Sequence, residues 1–394
     1  MRTQREKDQV IIFLKGKIDS NNSPQVRKEL ESIVAANPGM EPVLDAEELS
    51  YISSAGLRVL LQLTKTLGKP LTLRNVTPEV YEIFDVTGFT DVLNVRKKLR
   101  ELSVEGCEII GRGAIGTVYR IDDDTIVKVY EIPDCLPMIE NEQKRAKQAF
   151  LNGIPTAISY DVVKVGDKYG SVFEMLKAST YNDLLVEHPE RTEEIVRQYA
   201  RFIRQLHTVE MERGELPEAK KQFLSYLDEL GGILPKELRE RLRALFAAMP
   251  ENLHVIHGDI QMKNVMLNGD EPMLIDMDTL SVGDPVFDLM GLYLAYMQFN
   301  EDEPTNTQDF LGLSEERCTA IWRDTLKNYF DGLDAAALET AEKKIIAVSS
   351  VRFLYLIAVL GIGKPELKQI RIDHTLSRLS ELVSELDSLA LTEK

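Results

Sequence analysis

Apolar residues along this chain keep two rhythms, and the switch between them outlines its elements. VIIFLKG, residues 10–16, is a short unbroken apolar run of the kind a buried strand shows. IDSNNSPQ then supplies polar turn material with cap residues. QVRKELESIVAA (residues 25–36) repeats its apolar positions at helical spacing. EPVLDAEELSYI returns to strand character, SSAGLRVLLQLTKTL predicts a helix opened by serine, and KPLTLRNV predicts a further strand. TPEVYEIFDVTGF places a cap residue and a proline at the start of another helix. Strands alternating with helices over about one hundred residues predict a small α/β domain.

A boundary is expected near residues 96–106, where RKKLRELSVEG is charged and lacks an extended apolar run, as a linker or a helix. Beyond it, CEIIGRGAIGTVYRIDDDTIVKVYE reads as strand, glycine turn, strand, polar hairpin, strand. IENEQKRAKQAFLNG predicts a helix, and SYDVVKVGDKYGSVFEML two strands about a Gly-Asp turn. The rest is mainly helical; Ile195, Tyr199, Phe202, Ile203 and Leu206 fall on one helix face. VRFLYLIAVLGIG is too short for a bilayer span and is interrupted by Arg352, so a buried helix is expected. LKQIRIDHTLSRLSELVSELDSL predicts an amphipathic helix. The expected divisions are 1–100, a strand-rich lobe at 101–178 and a helix-rich lobe at 179–394.

Composition narrows the function classes. The 394 residues are 44% apolar, and 47 basic against 64 acidic residues give a net charge of −17. Such acidity argues against nonspecific nucleic-acid binding. Cys107, Cys135 and Cys318 lack metal spacing and are too few for a disulfide scaffold. The charged MRTQREKDQ has no apolar signal core after it, so a cytoplasmic protein with no membrane role is expected.

The candidate chemistry lies in the second part. Gly111, Gly113 and Gly116 keep G-x-G-x-x-G-x-V spacing. The residues after Gly116 are strand rather than helix material, which favours a glycine-rich lid over phosphates instead of a dinucleotide turn. Lys128, in TIVKVYE, is placed to pair with nucleotide phosphates. Glu142, with Glu140 as the alternative, is the candidate to orient it. Asp259 precedes Asn264 by five residues in a loop after a short strand, suited to orient or deprotonate an acceptor hydroxyl. Asn264, Asp276 and Asp278 offer the hard oxygens that Mg²⁺ takes. His257 is read as a loop-holding residue and Asp288 as a brace for the same loop. The acidic stretch Asn300 to Asp309 is read either as an acceptor-attracting surface or as a solvent loop.

These motifs, HGDIQMKNVML and LIDMDT above all, resemble the aminoglycoside phosphotransferase and choline kinase-like superfamily, from about Glu105 onward. The resemblance implies a two-lobed α+β protein-kinase-like domain. It implies ATP and Mg²⁺, Asp259 as catalytic base, Asn264 and Asp276 as metal ligands, and Lys128 as the phosphate-positioning lysine. Phe173, Glu174 and Leu176 then form the nucleotide hinge, and a small-molecule hydroxyl is the acceptor. The chain departs from that pattern at Gln261, in its full glycine signature, and in having no glycine after Asp276.

The first part, in DAEELSYISSAGLRVLL with LKGKIDSNN and VYEIFDVTGFTDVL, resembles an α/β STAS domain of the anti-sigma-factor antagonist type. The resemblance implies a regulatory protein partner such as an anti-sigma factor. It also makes Ser54 a candidate phosphorylation site, with serine acceptors on proteins as the alternative substrate class.

Overall fold

The structure, a computed structural model, describes residues 1–113, 115–133 and 135–391. Ala114 of the glycine signature lies outside them. The chain divides into two compact units, residues 1–103 with 162–167, and residues 104–161 with 168–394.

The first unit contains β1 (Arg2–Glu6), β2 (Gln9–Ile18), α1 (Ser23–Ala36), β3 (Glu41–Ile52), α2 (Ser54–Leu67), β4 (Thr72–Val76), α3 (Pro78–Val86), β5 (Asn94–Lys97) and β6 (Arg100–Glu101). Strands β1 to β5 form one sheet in sequence order. β1 joins β2 antiparallel and the remaining neighbours are parallel. The polar first residues, which carry no strand signal, are held as an edge strand by pairing with β2. Ile12, Leu44 and Leu73 from the sheet are buried with Leu57, Leu60, Val80 and Phe84 from the helices. Gly56 sets how closely α2 approaches: a Cβ there would lie 2.7 Å from Ile52 and 2.8 Å from Ile18. The charged stretch after residue 95 forms the short strands β5 and β6, not a helix.

The second unit begins with β7 (Glu108–Arg112), β8 (Gly116–Arg120), β9 (Thr125–Tyr130) and α4 (Leu136–Leu151). β10 (Asp161–Val165) belongs largely to the first unit, where Val163 pairs with Arg100 in parallel. With β11 (Lys168–Glu174), the second unit has an antiparallel array in the order β11, β9, β8, β7. A small sheet follows from β12 (Ser179–Thr180), and then come α5 (Tyr181–Glu187), α6 (Thr192–Leu206), α7 (Ala219–Glu229) and α8 (Lys236–Ala248). β13 (Val255–Ile256), β14 (Val265–Asn268), β15 (Glu271–Leu274) and β16 (Ser281–Val282) carry the loops between them. The helices α9 (Val286–Tyr296), α10 (Asn306–Leu311), α11 (Glu315–Tyr329), α12 (Ala335–Leu354) and α13 (Lys368–Glu385) complete the unit.

One contiguous core fills the helical part, from Ile195, Tyr199 and Ile203 of α6 through Phe246, Phe287 and Trp322. α6 buries the face its spacing marks, because Ile195, Tyr199, Phe202, Ile203 and Leu206 all point inward. The apolar run 351–363 starts as the expected buried helix and turns into a π-helical segment at Tyr355–Val359. Its end is exposed at Val359, Leu360 and Ile362.

Candidate active site

The site is assembled from three stretches that lie far apart in sequence. β9 presents Lys128 among Val127, Val129 and Tyr130, all buried. Strand alternation puts Lys128 and Tyr130 on one face of the sheet. α4 runs past that face, with Glu142 buried and Glu140 exposed. Tyr130 donates its hydroxyl proton to Glu142 Oε2 at 2.8 Å and lies 3.3 Å from Ser171 Oγ. The Lys128 ammonium sits 3.7 Å from Glu142 and 2.5 Å from Asp276. Of the two acids left open by the sequence, Glu142 is therefore the one beside the lysine.

The glycine signature closes the β7–β8 hairpin. Gly113 donates its N–H to Gly116 O at 2.8 Å, and Glu131 N donates to Ile115 O at 2.9 Å. Gly116 packs against β9 so closely that a Cβ would lie 2.5 Å from Val129 O. Gly111 and Gly113 meet nothing closer than 3.7 Å and 3.8 Å. Phe173 and Glu174 end β11, and Met175 N donates to Asp124 O at 2.8 Å. Leu176 follows in the connection towards β12.

The loop after β13 holds Asp259. Asp259 Oδ2 accepts from Asn264 Nδ2 at 2.9 Å and from Gln261 Nε2 at 3.0 Å. Both bonds hold the carboxylate, while burial, the larger effect, pushes its pKa upward. Because the amide nitrogen of Asn264 is turned to Asp259, its Oδ1 is the atom available for another role. Ile275 N donates to Asn264 O at 3.0 Å, tying this loop to the segment carrying Asp276.

Asp276 adopts φ 63°, left-handed backbone that few residues other than glycine accept. Asp and Asn tolerate it best. The turn directs the carboxylate to Lys128. Asp278, two residues on, has its pKa pushed up to about 6, first by burial and then by Asp276 and Glu142. Its carbonyl oxygen accepts a hydrogen bond from Arg145 of α4.

Further residues support this arrangement. Asp288 on α9 is fully buried and accepts from His257 N at 2.9 Å and Gly258 N at 2.5 Å. His207 Nε2 donates to the same carboxylate at 2.9 Å, and Tyr329 donates to His207 Nδ1 at 2.7 Å. His257 donates through Nε2 to Ile275 O at 3.0 Å and accepts at Nδ1 from Asp259 N at 3.3 Å. Tyr199 donates to Ile260 O. Asp288 is foreshadowed as a brace by GDPVFDLMG; Tyr130, Arg145, His207 and Tyr329 are ordinary core-face residues until the fold brings them in.

In the first unit, Ser53 caps α2 by accepting from Gly56 N at 3.4 Å. Ser54 is exposed at the first helical position.

Among the described residues no three His, Cys, Asp or Glu side chains form a ready metal cage, and no helix is long and apolar enough to cross a membrane.

A kinase-like domain with a lysine–acid pair facing a loop of acid and amide defines a class of phosphoryl-transfer fold. Residues 106–320 match the model of the phosphotransferase enzyme family, and the chain belongs to that family. Residues 1–102 match the STAS domain model, so a STAS domain is fused to it. An anti-sigma-B factor antagonist of Listeria monocytogenes is 28% identical over 103 residues, covering 25% of this chain and 90% of the relative. One from Bacillus subtilis is 29% identical over 98 residues, covering 24% and 87%. Among solved structures, the ADP-bound aminoglycoside phosphotransferase APH(2'')-Ib is 17% identical, with TM-score 0.47 and coverage of 77% of this chain and 98% of its own. A choline/ethanolamine kinase family protein from Mesorhizobium loti is also 17% identical, with TM-score 0.43 and coverage of 70% and 87%.

Proposed function

We propose that the protein is an ATP-dependent phosphotransferase acting on a small-molecule hydroxyl, with its STAS domain serving as a regulatory or partner-binding module. The observation that carries this reading is the meeting of Lys128 with Asp276 at 2.5 Å and Glu142 at 3.7 Å. A strand, a helix and a late loop converge there on one ammonium. Tyr130 fixes Glu142, Glu142 steers Lys128, and Lys128 is the cation offered to the nucleotide phosphates. The tight Gly116 contact holds the hairpin backbone against β9, and this hairpin is the proposed lid over the phosphates. Phe173, Glu174 and Leu176 are the proposed adenine-side hinge. Working divisions at 1–100, 101–178 and 179–394 separate the docking module, the nucleotide lobe and the acceptor lobe.

The donor set fits Mg²⁺. Asp276, Asp278 and the Asn264 Oδ1 not turned to Asp259 are hard ligands. Magnesium is held by one or two carboxylates plus substrate phosphates rather than an all-protein cage. When bound, the ion supplies charge neutralisation at the phosphates. Asp259 orients the acceptor hydroxyl and receives its proton, and Asn264 and Gln261 keep the carboxylate aimed. Three free cysteines fit a reducing cytoplasm as the working compartment.

Single-turnover transfer from labelled ATP tests this. Asp259→Ala should lower the rate by about 10²–10⁴-fold, with nucleotide affinity largely kept. Transfer at the wild-type rate would remove the assigned role.

A second reading has Ser54 as the acceptor, in another copy or in the same chain, or a serine of a partner protein. The exposed Ser54 hydroxyl favours it, because Ser53 already supplies the cap and the helix N-terminus stabilises an added phosphate. Phosphopeptide mapping after incubation with ATP separates the two; unlabelled Ser54 argues against self-modification. The module's resemblance to antagonists supports an anti-sigma-type regulatory partner, which pull-down with and without ATP tests.

A further inference from the structure

A small cleft opens beside the catalytic loop. Gly258, which precedes Asp259, and Thr279, which comes after Asp278, form one side. Phe223 and Tyr226 of α7 and Arg352 of α12 form the other. The cleft is small: its own volume is about 20 Å³, within about 290 Å³ of space that includes open solvent. Of the residues lining it, Arg352 alone carries a full charge. Its guanidinium donates to the Tyr226 hydroxyl and lies over the Tyr226 and Tyr355 rings, 5.2 Å and 5.8 Å from their centroids. The two rings stack at 3.9 Å. Among the described residues Arg352 has no carboxylate partner. A half-buried, always-charged fork with free donors is suited to a carboxylate or phosphate.

Three acids of the 300–309 stretch are engaged with bases of their own. Glu301 pairs with Arg378, Asp302 lies 3.3 Å from His374, and Glu303 holds both Arg371 at 2.8 Å and Lys364. Three of the four acids in that stretch, Glu301, Asp302 and Glu303, thus face basic side chains of α13 and the turn before it.

Resting on the phosphotransferase reading, we propose that the acceptor is a small hydroxy compound bearing a carboxylate or phosphate, and that Arg352 is the residue that selects it. The anion sits on the Arg352 guanidinium and its hydroxyl faces Asp259. The hydroxyl oxygen forms a bond to the γ-phosphorus as the bond from that phosphorus to the β,γ-bridging oxygen breaks. The hydroxyl proton passes to Asp259, and ADP leaves.

The test is acceptor-dependent ADP formation by the full chain with ATP and Mg²⁺. Glycerate, glycerol 3-phosphate and further hydroxy acids and sugar phosphates are set against neutral glycerol and against choline and kanamycin. Anionic acceptors should give kcat/KM at least tenfold above the neutral and cationic ones. Arg352→Gln should raise the anion's KM by about 10- to 100-fold, with kcat moved far less. Arg352→Lys should recover part of it, and Arg352→Glu should shift preference towards cations. A merely structural arginine would lower Tm and kcat for every acceptor alike, with no change in preference. Preferential turnover of choline or kanamycin, or an unchanged KM in Arg352→Gln, overturns the anionic acceptor and leaves the transferase reading standing. No turnover with any acceptor overturns both. The wild-type preference needs no variant to fold, so the outcome is readable even if one does not.

Discussion

Lys128 and Asp276, 148 residues apart, meet at 2.5 Å, and the acid does so from a left-handed backbone turn at φ 63°. A non-glycine residue held there persists only where its surroundings fix it. Lys128→Met removes the cation that offsets Asp276 and Glu142. It should lower kcat by about 10²–10³-fold, the scale seen when one preorganised charge-stabilising donor is lost. Glu142→Gln should be milder, since Tyr130 still holds the side chain in place. Steady-state kinetics in saturating Mg²⁺ and ATP checks the order.

The glycines of the hairpin are not equivalent. Gly116→Ala drives a Cβ to 2.5 Å from Val129 O, backbone that cannot step aside. A loss of about 1–3 kcal/mol is expected, the range for overpacking. Gly113→Ala, with its nearest contact at 3.8 Å, should be nearly neutral for stability. Urea unfolding of the two variants separates them; equal effects would contradict the packing account.

Asp288 reaches the Asp259 loop through the His257 and Gly258 backbone N–H groups, so its effect on the proposed transfer passes through that loop. Asp288→Ala strands two backbone N–H groups and the buried His207. Unmet buried donors cost about 1–3 kcal/mol each, so a fall in Tm is expected together with loss of kcat. Asp288→Asn keeps one acceptor oxygen and should lie between alanine and wild type. A variant with intact Tm and intact kcat would show that the brace is dispensable.

The clamp on α13 gives a pH dependence. Hydrogen bonds from Lys364 and Arg371 hold the Glu303 carboxyl below its ordinary 4.5. The unfolded chain therefore binds the proton more tightly. Stability from this group is fully present above pH 4.5 and is lost as pH falls through the lowered folded value. Glu303→Gln should lower Tm at neutral pH, because Arg371 is almost fully buried, and should flatten the acid side of the Tm–pH curve. An unchanged acid limb would place the dependence elsewhere.

Much of the fold is legible because a buried face must repeat with the period of its element. The α6 face, β2 and β3 follow that rule, and so does α2, where Gly56 also fits a close helix–sheet approach. β1 and the short strands β5 and β6 escape it: their residues are mostly polar, and their strand character comes from a neighbour's hydrogen bonds. The charged residues 301–303 resemble free surface for the same reason. Their partners lie about seventy residues later on α13.

By itself the sequence determined most of the order of elements, the two-part organisation and the spaced residues Lys128, Asp259, Asn264 and Asp276, because periodicity and motif spacing are local properties. Only the tertiary structure decided that Glu142 and not Glu140 faces the lysine, that His207 and Tyr329 back the Asp288 brace, and that Arg352 lines the cleft beside Gly258. Those are choices among distant partners, and burial and hydrogen bonding make them only once the chain has closed on itself.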